Sequence, residues 1–84
     1  DVMIEMARLL MQSGEKEKAA GLVRNIAYAN LQDVYFFIYS GFDAGGIRNE
    51  YCERFREIRE LASELQLQDV LLETEVELQT LCKF

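Results

Sequence analysis

Eighty-four residues, half of them apolar and including four tyrosines and five phenylalanines, make one small domain. A chain of this size buries about two-thirds of its unfolded surface, which leaves apolar area for a partner. Nine basic against fifteen acidic residues give a net charge of −6. The bases are interleaved with acids: Lys16 and Lys18 with Glu15 and Glu17, and Arg48, Arg54, Arg56 and Arg59 with Glu50, Glu53, Glu57 and Glu60. Direct binding to nucleic acid or to an anionic membrane is therefore disfavoured, and a basic or uncharged protein partner is favoured.

The chain has no histidine, and Cys52 and Cys82 are too few and too far apart for a disulfide framework or a zinc ribbon. No metal and no cofactor is expected. Both cysteines read as small buried hydrophobes in a reducing cytoplasm. A bond between them stays open, because sequence does not give their separation in space. No apolar run reaches the length of a membrane span, and the acidic N-terminus does not resemble a secretory signal. A chain that opens on Asp1, with no initiator Met, is expected to be a piece of something longer.

The first helix is predicted over 2–12, with Met3, Met6, Ala7, Leu10 and Met11 on one broad face and Glu5, Arg8 and Gln12 on the other. Ser13 and Gly14 break it, Gly14 suiting a left-handed turn, and Glu15 and Glu17 open the next helix at its positive end. That helix runs to about Asn30 with Ala19, Leu22, Val23, Ile26 and Ala27 inward. Residues 34–39, Val-Tyr-Phe-Phe-Ile-Tyr, have strand propensity as readily as buried-helix character. A helix is favoured, capped by Asp33 and closed by Ser40 and Gly41, since a lone strand would have nothing to pair with. The alternative is that it continues the second helix as one bent helix.

Gly41 to Gly46 reads as the main hinge; no Lys-Ser or Lys-Thr follows, so it is not a phosphate cradle. From Asn49, as cap, to about Leu67, the stripe Tyr51, Cys52, Phe55, Ile58, Leu61, Ala62 and Leu65 gives the most secure helix. Glu50 with Arg54 and Arg56 with Glu60 can pair along its solvated face. After a break at 66–69, Asp69 caps a last helix with a wide apolar face: Val70, Leu71, Leu72, Val76, Leu78, Leu81 and Cys82. Glu73, Glu75 and Glu77 alternate, which spreads them around a helix rather than onto one ion.

The fold class that follows is all-α, a bundle of four to five antiparallel helices. Its parts are an N-terminal hairpin plus aromatic helix over 1–40, a hinge over 41–48 and a C-terminal hairpin over 49–84. The spacing of Met6, Ala7, Leu10, Gly14, Ala19, Val23 and Ile26 resembles a tetratricopeptide repeat over about a third of the chain. Met3 and Val23 stand where that family has aromatics, and its closing proline is absent. A fainter echo lies in Ile58, Leu61, Ala62, Leu65, Asp69, Thr74, Leu78 and Leu81. The resemblance implies binding of a protein or peptide on a helical face, as in chaperones, signalling receptors and secretion accessories. Arg24 and Asn25 read as ordinary surface residues rather than as that family's carboxylate clamp.

Function is thus expected to be non-catalytic. Cys52 is the sole candidate nucleophile; Glu50 and Glu53 raise its thiol pKa, with Arg48 or Arg56 able to offset them. The expected role is a protein-interaction or assembly module, contacting a partner helix or a second copy through Tyr35, Phe36, Phe37, Tyr39 and Phe42, or through Leu72 and Val76 on the last helix. The competing reading has the aromatics building the core. Five in eight residues cannot all point one way, so some should reach a surface. The alternative function is an acidic regulatory inhibitor that occupies a basic surface of its partner.

Overall fold

The computed structural model describes residues 2–39 and 47–82, apart from the side chains of Ile38 and Tyr39. Four helices form in the order α1 (Val2–Gln12), α2 (Lys16–Val34), α3 (Ile47–Leu65) and α4 (Gln68–Leu81), and no strand occurs among the described residues. The chain is a small all-α bundle. Residues 34–39 neither pair as a strand nor begin a separate helix: α2 runs on through Val34 into a π-helical turn, Tyr35–Tyr39. Of the two helical alternatives, continuity wins. Asp33 is not a cap but accepts a hydrogen bond from the Tyr51 hydroxyl, 3.2 Å away on α3. The Gly41–Gly46 hinge lies outside the described residues.

The two interhelix turns among the described residues use the same backbone device. Gly14 has φ +83°, its N–H bonds to Met11 O, and Glu15 N–H bonds to Leu10 O. Gln66 has φ +58°, its N–H bonds to Ser63 O, and Leu67 N–H bonds to Ala62 O. Each turn is a Schellman closure whose last residue already starts the next helix: Glu15 O accepts from Ala19 and Leu67 O from Leu71. The second turn, at Gln66, falls within the break expected over 66–69, but Asp69 does not cap the helix that follows. α4 starts from Leu67, with Asp69 inside its first turn, and Asn49 likewise lies inside α3 rather than capping it.

The helices stack in chain order. α2 packs on α1 and α3, α4 packs on α3, and lighter contacts join α1 to α3 and α2 to α4. One core takes Ile4 and Ala7 from α1, Val23, Ile26, Ala27 and Val34 from α2, Tyr51, Cys52, Phe55, Ile58, Leu61 and Ala62 from α3, and Val70 and Leu81 from α4. The stripe expected on α3 is buried, apart from a half-buried Leu65. The face expected on α1 is buried only in part: Ala7 lies in the core and Leu10 and Met11 are half-buried. Ile4 is fully buried, whereas Met3 and Met6 are 45 % and 50 % exposed. On α4 the inner positions include Thr74 and Glu77, and the Thr74 hydroxyl donates back to Val70 O at 2.7 Å.

Cys52 and Cys82 are joined by a disulfide, with Cα atoms 5.8 Å apart. This overturns the reading of two reduced thiols. The bond ties the end of α4 to the first turns of α3 and closes a loop of 30 residues in sequence separation. By chain entropy such a loop is worth about 3.5 kcal/mol. Reduction, or Cys82→Ala, should lower the unfolding free energy by about 3 kcal/mol in urea titration, with α4 the first helix to lose amide protection.

The turns make a paired prediction. A Cβ at Gly14 would meet nothing within 4 Å, so Gly14→Ala meets only the left-handed backbone penalty and should cost about 1 kcal/mol. Gln66→Gly relieves the same penalty and should raise the urea midpoint, by about 0.5 kcal/mol in stability after the looser unfolded chain is counted.

Candidate functional site

Three sets of apolar side chains lie outside the core. On α1, Val2 and Leu9 are 76 % and 63 % exposed, with Met3 and Met6 beside them. On α2 and its π-helical turn, Tyr28, Tyr35 and Phe36 are each more than half exposed and Phe37 is partly so. On α4, Leu72 is 70 % and Val76 53 % exposed. Of the seven residues expected to meet a partner, Tyr35, Phe36, Phe37, Leu72 and Val76 are thus at the surface. The side chain of Tyr39, and Phe42 altogether, lie outside the described residues.

The aromatics exposed here do not build the core; Val34 does, at the end of α2. Phe36 and Phe37 meet edge to face with centroids 5.0 Å apart, and Gln32 Nε2 donates to the Tyr28 hydroxyl at 2.7 Å. Neighbouring aromatics on a helix diverge by about 100° per residue, so the run splits between faces. Tyr28, Val2 and Leu9 were not expected. The signal was present: Val2 and Leu9 share a stripe with Glu5 and Gln12, three, seven and ten residues on from Val2, and Tyr28 lies one turn from Arg24.

Charge is distributed unevenly around these sets. α1 carries Glu5 and Arg8, paired at 2.6 Å. α4, by contrast, holds Asp69, Glu73, Glu75 and Glu77 with no basic residue between Gln68 and Leu81. Asp69 meets Arg24 of α2 at 3.0 Å and Glu75 meets Arg59 of α3 at 3.1 Å. The hydrogen bond from Arg24 holds the Asp69 carboxyl below its ordinary range, and Asp69 in turn raises the Arg24 pKa. Both groups are open to solvent, so the pair orients α4 against α2 more than it stabilises the fold. The Arg56 guanidinium pairs with Glu53 rather than Glu60, and Arg54 lies over the Tyr51 ring, 5.2 Å from its centroid.

Cys52 is bonded to Cys82 and offers no thiol. Among the described residues, no group of three or more acidic or cysteine side chains could hold a metal ion, and no buried side-chain polar atom lacks a hydrogen-bond partner. An open groove between the first hairpin and the end of α3 is lined by Arg8, Lys16, Glu60 and Glu64 around Met11, Leu61 and Leu65. Its two cations and two carboxylates offset each other. No helix among the described residues is long and apolar enough to cross a membrane. No family model, curated protein or solved structure matches the chain.

Tyr51 links this surface to the core, since its ring is buried while its hydroxyl reaches Asp33 at the base of the aromatic turn. Burial, then the Asp33 charge and hydrogen bond, push the phenol above its ordinary pKa of 10.0, with Arg54 pulling the other way. A phenol that ionises later in the folded chain than in the unfolded one leaves stability intact below pH 10 and removes it as pH rises through the folded value. Unfolding titrations across that alkaline window should therefore show a falling urea midpoint that Tyr51→Phe flattens.

Proposed function

We propose that the protein is a non-catalytic interaction module that covers its exposed helix faces with another protein, a peptide or a second copy of itself. One observation carries this reading. Seven large apolar side chains, Val2, Leu9, Tyr28, Tyr35, Phe36, Leu72 and Val76, are more than half exposed although a separate core is already complete. Scattered single exposures are ordinary, but here they gather in sets on three helices.

Stacking in chain order leaves α1 and α4 covered on one side only, which is how repeat-like helical hairpins leave ends for a neighbour. The shared turn chemistry at Gly14 and Gln66 supports the same repeat-like reading. A second reading, an acidic inhibitor that occupies a basic surface, is favoured by the four carboxylates of α4. A reducing cytoplasm, expected for two unpaired thiols, forms no part of the proposal, because the cysteines are joined.

Affinity capture from the source cell tests the module reading, using the wild-type chain beside Met6→Glu, Phe36→Glu and Leu72→Glu, each checked by circular dichroism. All three positions are exposed, so the fold should survive. A captured protein lost with one variant and retained with the other two is the expected result. A monomer by sedimentation whose captured set ignores all three substitutions would overturn it.

A further inference from the structure

α2 and α4 run in the same direction, because each is antiparallel to α3. The end of α2 meets the start of α3 through Asp33 and Tyr51, and the end of α4 meets it through Cys82 and Cys52. The Arg24–Asp69 pair joins α2 and α4 where α4 begins. From that pair two rows ascend side by side. Tyr28 and Tyr35 follow Arg24 by four and eleven residues, while Glu73 and Val76 follow Asp69 by four and seven, with Leu72 alongside. Eleven residues of helix give a valley about 16 Å long, three turns of an incoming helix.

Beyond the Arg24–Asp69 pair the walls of this valley are apolar, with one exposed carboxylate, Glu73, and no exposed base. Tyr28, Tyr35, Leu72 and Val76 are exposed along it. Beyond Arg24, neither α2 nor α4 carries a basic residue, whereas Asp33, Glu73, Glu75 and Glu77 are carboxylates. Glu75 turns to Arg59 and Glu77 is buried, so Glu73 is the exposed acid within the row. The apolar face of α1, in contrast, adjoins the Glu5–Arg8 pair, whose charges cancel and select no partner.

We propose that the α2/α4 valley takes a basic amphipathic helix from a partner protein. Its aliphatic side chains would cover Leu72 and Val76, with lysine or arginine reaching Glu73 and the faces of Tyr28 and Tyr35. A second copy docked valley to valley fits poorly, because it would bring the same carboxylates to the same valley. The inference rests on the interaction-module reading and names the chemistry of the partner.

The disulfide-intact chain is titrated into three fluorescein-labelled peptides: a Leu/Lys helix with leucines at positions i, i+3, i+4 and i+7, the same helix with glutamate for lysine, and a scrambled Leu/Lys peptide without an apolar face. Only the first should bind, more weakly at high salt. Leu72→Ser and Glu73→Lys should each weaken it about tenfold, while Met6→Ser on α1 leaves it within about twofold. Equal binding of the scrambled peptide, equal loss with Met6→Ser, or no binding of the Leu/Lys helix would overturn the assignment. Capture that depends on Met6 and not on Leu72, together with a failed peptide titration, would overturn the valley while leaving the module reading in place.

Discussion

Only the two middle helices of a four-helix stack can be covered on both sides, and this single geometric constraint governs the molecule. α2 and α3 spend most of their apolar residues inward, and α3 does so along one stripe from Tyr51 to Ala62. α1 and α4 contribute few buried residues each: Ile4 and Ala7 from one, Val70 and Leu81 as aliphatics from the other. Met11, Leu71 and Leu78 pack partly against that core, while Val2, Leu9, Leu72 and Val76 stay more than half exposed. The exposed sets on α1 and α4 are thus consequences of chain length and stacking order, as much as of composition.

Two devices hold that order in place. A left-handed residue at Gly14 and another at Gln66 reverse the chain within each hairpin, with the next helix beginning one residue later. Short reversals of this kind leave little freedom for anything but antiparallel neighbours. The disulfide and the Asp33–Tyr51 hydrogen bond then secure the end of the stack where α2 and α4 finish and α3 starts. Cross-links at one end, with the Arg24–Asp69 pair lower down, leave α2 and α4 lightly packed against each other and the valley between them open.

The aromatic turn after Val34 is the point at which local preference and tertiary setting diverge most. Six β-branched, aromatic or apolar residues in a row carry no helical period, so neither face nor element type is legible from them alone. α2 arrives already helical and buries Val34, and the following residues inherit its winding as a π-helical turn. Tyr35 and Phe36 reach solvent because the inward positions are already taken.

Periodicity alone determined the all-helical class, the extents of α1, α3 and α4 to within two or three residues, and the buried stripe on α3. Its physical basis is that polar and apolar positions alternate there at 3.6 residues per turn. α1 shows a comparable contrast, with Glu5, Arg8 and Gln12 off its apolar face, but that contrast does not fix the exact inward direction. Packing on α2 decided which of its apolar residues faced inward, and Ile4 went in where Met3 and Met6 stayed out. The cysteine pairing likewise depended on α3 and α4 lying antiparallel, which brings residues 30 positions apart to a Cα separation of 5.8 Å. The valley between α2 and α4 exists only in three dimensions, since its walls come from segments that never adjoin in sequence.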